Sequence, residues 1–438
     1  MMHGTSRISD RTAAIARLLT LGATVVTASA TSPISAADDP FNGAKMLADV
    51  QTYVDFGAHR TGTPSDIATR DWLVARFKSL GFDVGLEPFT VNQFLLESAS
   101  VVIEGTRYEA MPFWHPHPTG SKPIDGPIVF VQGNSVTAAV KGKIAVLGVD
   151  AAAAPALFAR LASEGAMGVI VTSRVDVGVP VMENAQPPFV DRPTPLPAVI
   201  VASGAGDPLK VAANQGKPVS ISVTGTEVPN VSAANVIATI TRDPSASWII
   251  VSTPYSGWNA NAGERGPGIA ILLALAERAA RTPARVNYAF VVNSGHELDF
   301  LGAERSLDSG RLPPSSRTRA WVHLGASIGV VRHTLQPDGK WVPDLNEIGT
   351  NITGGTAFES EIRKAFADLP ATSFSFGTAP GEVANMQAKG YEAFGLIGGG
   401  RPFPFFHTRL DQMGSVAAGH LAAIGRAVAD AVLAIESK

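Results

Sequence analysis

One stretch, residues 248–302, constrains the fold of this 438-residue chain more than any other. It reads WIIVSTPYSGWNANAGERGPGIAILLALAERAARTPARVNYAFVVNSGHELDFLG. Two apolar, β-rich runs, 248–252 and 287–293, flank a helical pattern over 267–280, with Pro267 suited to a first helical turn and Pro283 closing it. Strand, helix and strand at this spacing predict a βαβ unit. In open α/β sheets ligands gather beyond the carboxyl ends of the strands, so residues 253–265 and 294–299 are where chemistry is expected. Glu264, Arg265, His296, Glu297 and Asp299 all fall there, and the two strand runs behind them carry no charge.

The same residues resemble the co-catalytic zinc aminopeptidase family, whose relatives include glutamate carboxypeptidase II, the transferrin receptor ectodomain and glutaminyl cyclases. That family has His-x-Asp in the first loop, Gly-Ala-x-Asp-Asp/Asn-x-x-Gly opening the helix, and Glu-Glu followed by Leu-Gly in the second loop. The matching positions here read Pro254-Tyr-Ser256, Asn261-Ala-Gly-Glu264-Arg265-Gly-Pro-Gly268 and His296-Glu297-Leu-Asp-Phe-Leu-Gly302. Near the carboxyl terminus Pro402-Phe-Pro-Phe-Phe-His407-Thr matches the family's aromatic-aromatic-His-Thr. The frame is kept while most metal residues are changed.

The resemblance implies which ion each change affects. Pro254 and Gly325 stand at two ligand positions of one ion and offer no side-chain donor. Glu264, Glu297 and His407 stand at the ligand positions of the other, and two carboxylates with one imidazole can hold zinc with an open position for water. At most one Zn2+ ion, or none, is therefore expected. His296 occupies the position of the family's general base, and an imidazole with a pKa of about 6.5 can serve as one. His323, two residues before Gly325, can project toward the same place; equally, both histidines can serve only to fix the loops. Ser256 beside His296 and Glu297 suggests nucleophilic catalysis, although no Gly-x-Ser-x-Gly elbow surrounds it. Arg265 and Arg401 are candidate clamps for a substrate carboxylate. Glu382 sits where the family has an Asp beside its site, and can instead pair with Arg265.

Around this core the chain divides further. Residues 1–37 pair Arg7, Arg11 and Arg17 with a short apolar run and small residues before Asp38, which reads as a secretory signal and an exported, periplasmic or secreted, protein. Residues 38–90 and 227–438 read as the peptidase-like domain, with helical spacing at Leu73, Phe77 and Leu80, a strand over 83–89, and a closing amphipathic helix over 416–436. His59 is read as structural. Residues 91–226 change to short β runs with Gly and Pro punctuation. Val140-Lys-Gly-Lys-Ile-Ala-Val-Leu-Gly148, Gly165-Ala-Met-Gly-Val-Ile-Val171 and Pro195-Leu-Pro-Ala-Val-Ile-Val201 resemble a protease-associated domain, a module that shapes a cleft without chemistry of its own. His115 and His117 are read as ordinary loop histidines.

Composition narrows the partners. A net charge of −3 with no basic cluster after the N-terminus argues against nucleic acid, and no run in the mature chain reaches the length of a stable membrane span. The absence of cysteine excludes disulfides and thiolate ligands. The expectation is an α/β, zinc-aminopeptidase-like three-layer sandwich with a mostly parallel sheet and a β-rich protease-associated insert. Its expected activity is hydrolysis of a peptide or small amide substrate. Two alternatives remain open: a catalytically inactive peptidase-like binding domain, and a metal-free hydrolase using Ser256 and His296.

Overall fold

The computed structural model describes residues 38–132, 136, 139–148, 154–369, 371–398 and 403–438. The export segment read over residues 1–37 and the candidate clamp Arg401 lie outside the described residues. In chain order the elements are α1 (Gly43–Asp55), α2 (Pro64–Ser79), β1 (Asp83–Ile103), β2 (Thr106–Pro112), β3 (Ile124–Val131), β4 (Ile144–Leu147), α3 (Ala154–Ser163), β5 (Gly168–Thr172), β6 (Ala198–Val201), α4 (Gly206–Asn214), β7 (Pro218–Ile240) and β8 (Trp248–Pro254). They continue as α5 (Gly266–Arg281), β9 (Asn287–Asn293), α6 (Leu301–Asp308), β10 (Thr318–Leu324), β11 (Arg332–Leu335), β12 (Trp341–Asp344), β13 (Asn351–Gly354), α7 (Glu359–Ala365), β14 (Ser373–Ser375), α8 (Glu382–Ala388), β15 (Ala393–Ile397) and α9 (Ala418–Glu436).

The βαβ unit forms where the sequence places it. β9, β8, β10 and β15 lie side by side and parallel, in that order. Strands of such a sheet are buried on both faces, which is why β8 and β9 are apolar almost throughout. Successive side chains still point to opposite faces. Ile249, Val251, Tyr288, Phe290 and Val292 join one core with α1, α5 and α9, while Ile250, Ala289 and Val291 join another with Trp321, Val383 and Met386. The result is three layers, helices on both sides of a sheet. Antiparallel neighbours, β7 beyond β9 and β13 beyond β15, flank the parallel group.

Among the described residues only α9 is long and apolar enough to cross a membrane. Its Leu421, Ile424, Val428, Val432 and Ile435 are buried in the first core, as expected of a packed interior helix.

The expected boundaries at Val91 and Thr226 fall inside two long strands. β1 and β7 pair antiparallel from Asp83↔Thr239 to Ile103↔Val219, with register irregularities between Val91 and Gln93 and between Leu96 and Ser98. Leu95 therefore lies opposite Thr226, and the two boundaries are neighbours. β7 serves different partners at its two ends, β3 through residues 218–221 and β9 through residues 236–240. Strand pairing within this part closes on itself in the order β1-β2-β6-β5-β4-β3-β7-β1, a ring that leaves no open sheet edge. Because the same two strands run through the ring and the parallel layer, residues 39–438 pack as one compact unit.

Phe290 tests the larger core: its ring meets Phe77 at 5.9 Å and Phe82 at 5.4 Å, joining β9 to α2. Phe290→Ala is expected to cost about 3–5 kcal/mol in urea unfolding, whereas Phe130→Ala, at a 38% exposed position, should cost less than about 1 kcal/mol.

Candidate functional site

The loops after β8 and β9, at the carboxyl ends of parallel strands, carry the candidate site. The first loop is shaped by Asn261, whose φ of 52° lies in the left-handed region that Asn tolerates. Asn261 Oδ1 accepts from the Asn259 N–H at 2.7 Å, and its Nδ2 donates to Glu264 Oε2. Asp411 holds the other side. Its Oδ1 and Oδ2 accept the N–H groups of Gly263 and Glu264 at 2.6 and 2.8 Å, immediately before α5. A carboxylate at a helix N-terminus meets orphan donors and the favourable end of the helix dipole. Burial nonetheless pushes Asp411 up to about 7.

The second loop turns sharply at Gly295, with φ of 76°, and its end is pinned by Gly302. A side chain at Gly302 would strike the Ser294 carbonyl oxygen, so only glycine lets α6 begin this close to the end of β9.

Arg265 joins the loops. It is fully buried, and its Nη2 lies 2.9 Å from Glu264 Oε1 and 2.9 Å from Glu297 Oε1. Its Nε donates to the Ser256 carbonyl at 3.0 Å. Glu297 Oε2 accepts from Ser256 Oγ at 2.7 Å, and His407 Nε2 lies 3.2 Å from Glu264 Oε1. Burial opposes ionisation of Glu264, but Arg265 and His407 outweigh it and bring the carboxyl down to about 2. Burial likewise opposes charge on His407, yet Glu264 holds its pKa above the ordinary value.

A second group of side chains adjoins the first. His296 Nδ1 is 2.7 Å from Glu382 Oε1, and His323 Nε2 is 3.5 Å from Glu382 Oε2. His323 Nδ1 meets Ser252 Oγ at 3.0 Å, which also accepts from Trp321 Nε1 at 2.7 Å. Glu382 and His323 are buried, and the His296 side chain keeps 15% of its exposure. Burial, reinforced by Arg265, lowers His296 to about 3, and burial lowers His323 to about 4 and raises Glu382.

The part of the chain between β5 and β6 covers both loops. Met182 exchanges hydrogen bonds with His407: Met182 N–H to the His407 carbonyl at 2.9 Å, and His407 Nδ1 to the Met182 carbonyl at 3.0 Å. Ala185 N–H donates to the Glu297 carbonyl at 2.8 Å, and Asn184 Oδ1 accepts from Trp258 Nε1 at 2.9 Å. Beyond the carboxyl ends of β10 and β15 lies a cavity of about 410 Å3, lined by Val330, Ile397, Phe403 and Phe406 with Ser327 and Arg332. Phe406 also stacks on His407 with ring centroids 4.0 Å apart.

The structure thus brings Glu264, Glu297 and His407 together with Arg265 among them, and His296 together with Glu382 and His323. Two expected roles need correction. Arg265 has no exposed surface and its Nη2 and Nε are engaged, so it is not a free clamp for substrate. Ser256 is buried and meets the backbone N–H of His296 at 3.1 Å rather than its ring, so the pair makes no nucleophile and base. Asp411, Asn261 and residues 182–185 were not anticipated. Asp411 had a signal in its position four residues after His407, whereas residues 182–185 reach the site only through long-range packing.

The expected ligand set does not fit a zinc ion. Both Oε1 atoms that would bind it are engaged by Arg265 Nη2, and Glu264 Oε2 and Glu297 Oε2 by Asn261 and Ser256. Zinc–oxygen bonds of about 2.0–2.2 Å would set a dication against a guanidinium that does not lose its proton. Among the described residues no group of three or more His, Asp and Glu side chains is arranged to hold a metal.

Neither a protein-family model nor a curated protein sequence matches the chain. Solved structures do. A zinc aminopeptidase from Bacillus subtilis superposes with a TM-score of 0.73 at 17% identity, covering 90% of this chain and 96% of its own. An aminopeptidase from Aneurinibacillus sp. strain AM-1 gives 0.69 at 18% identity, covering 91% and 95%. A peptidase precursor from Shewanella amazonensis SB2B gives 0.68 at 17%, covering 92% and 98%. The fold is aminopeptidase-like. At this identity the likeness shows the fold alone.

The role of Asp411 can be measured in this fold. Asp411→Ala strips two buried N–H groups of their acceptor and is expected to cost about 2–5 kcal/mol in chemical denaturation, with Asp411→Asn losing less because it keeps one acceptor.

Proposed function

We propose that the protein hydrolyses peptide or small amide substrates, with His296 as the proton-transfer group and Glu382 as the residue that positions it. The observation that carries this reading is the 2.7 Å contact between a buried carboxylate and the one ring of the group that keeps appreciable exposure. An ionised Glu382 fixes the proton of neutral His296 on Nδ1 and leaves the Nε2 lone pair free. In that state Nε2 takes a proton from water as its oxygen bonds to the amide carbon, and returns it to the departing nitrogen as the C–N bond breaks. The cavity beside His407 suits an apolar substrate side chain, since Val330, Ile397, Phe403 and Phe406 line it. Residues 91–226 act as a cover in the manner of a protease-associated domain, and residues 1–37 direct export.

A second reading, a peptidase-like binding domain without turnover, is favoured by the engagement of all four carboxylate oxygens of Glu264 and Glu297. A panel of chromogenic aminoacyl and peptidyl substrates separates the two. On the hydrolase reading, His296→Ala lowers kcat/KM about 100-fold or more while Glu382→Gln lowers kcat with little change in KM. Absence of turnover across the panel, with thermal shifts on peptide binding, would establish the second reading.

The pH dependence is also distinctive. The base must be neutral, and a His296 pressed down to about 3 stays neutral throughout mild acid. Loss of neutral His296 should therefore cost no turnover between about pH 7 and 5, and a fall over that interval would report protonation of Glu382, whose pKa burial raises. A histidine at the ordinary value of about 6.5 would lose about 25-fold over that interval.

A further inference from the structure

We infer that Arg265 is the built-in cation of this site, cross-linking its two loops in place of an ion, so that Glu264, Glu297 and His407 hold no metal. This reading concerns charge and folding and stands apart from the proposed turnover. The geometry is that of a bridging cation: one nitrogen, Nη2, lies 2.9 Å from a carboxylate oxygen of the loop after β8 and 2.9 Å from one of the loop after β9. Nε fixes the plane of the group on the Ser256 carbonyl at 3.0 Å. Two carboxylates this deeply buried require a compensating charge, because an unpaired buried ion is far more costly than a paired one. Arg265 supplies it permanently, with no exchange and no dependence on supply.

The test uses the mature full-length chain, incubated with zinc chloride, desalted, and analysed for metal content and Tm. The wild type is expected to retain less than about 0.1 zinc per chain and to show the same Tm with chelator as with zinc. Arg265→Ala should lower Tm by about 5–10 °C, with or without zinc. Stoichiometric zinc in the wild type that His407→Ala removes would overturn the proposal, as would an Arg265→Ala chain as stable as the wild type. If Arg265→Ala does not fold, Arg265→Met and Arg265→Met with Glu297→Gln decide: the double variant should be the more stable, because it removes a stranded charge. Equal or lower stability of the double variant would overturn the cation role. An inactive, zinc-free wild type would count against the hydrolase reading and leave this one standing.

Discussion

The structure depends on a buried cation held between two carboxylates. Arg265 sits at the entrance of α5, so its position along the chain is fixed by the helix, and its reach to Glu297 is fixed by the parallel pairing of β8 with β9. Buried ion pairs seldom add much net stability, since desolvation of each charge offsets most of the attraction. Their effect is on specificity: with Glu264 and Glu297 both present, only arrangements that bring a positive group between them are tolerated. The two loops are thereby held in register with one another, and residues 182–185 settle onto a surface that is already defined. His407 completes the group from a fourth part of the chain, and its backbone and ring both engage Met182.

The long pair β1 and β7 explains how a cover built from the middle of the chain arrives at a site built from its second half. A module attached by flexible linkers would place residues 182–185 only loosely over the loops. Here nearly the whole of both strands is paired, so the ring of strands and the parallel layer share continuous backbone. The irregularities beside Asn92 and Glu97 let β1 bend between them without breaking the pairing. Trp258 and Leu298, from the two site loops, then join the core of the ring together with Met182 and Ala185. The cover and the loops therefore share buried apolar surface as well as hydrogen bonds.

Much of this was legible in the sequence wherever local pattern and tertiary role agree. The runs of β8 and β9 and the helix between them have periods that survive folding, and α5 begins within one residue of the expected start. The continuity of β1 and β7 was not legible, because Asn92 and Glu97 interrupt the alternation of one strand and Gly225 and Pro229 look like breaks in the other. Only the partner strand bridges those interruptions. The site was legible in its residues and not in its wiring. Glu264 and Arg265 are adjacent in the turn before α5, so nothing local indicates that the guanidinium turns back between Glu264 and Glu297. A candidate ligand set and a candidate clamp were both visible in the sequence, and only their distances reveal that the one neutralises the other.

Gly325 and Pro254 are both held in place by close packing. At Gly325 a Cβ would lie 2.8 Å from the Leu396 carbonyl oxygen and 2.9 Å from Ile397 Cγ2, closer than real Cβ atoms come. An aspartate placed there would force β10 and β15 apart at the end where the cavity begins. Pro254 ends β8 opposite Asn293, where the missing N–H leaves no unmet donor, and the next residue, Tyr255, restores the link by donating to the Asn293 carbonyl at 2.8 Å. Tyr255 is itself buried and bonded to the Ala234 carbonyl, while its own carbonyl accepts the hydroxyl of Tyr53. A side chain at Gly325 would therefore disturb strand packing, and a replacement at Pro254 would have to preserve this strand end. Removing Arg265 would unbalance charge and break the links among Glu264, Glu297 and the Ser256 carbonyl. The carboxyl ends of these strands are thus held at two levels, one fixed in backbone contact and one by a single side chain.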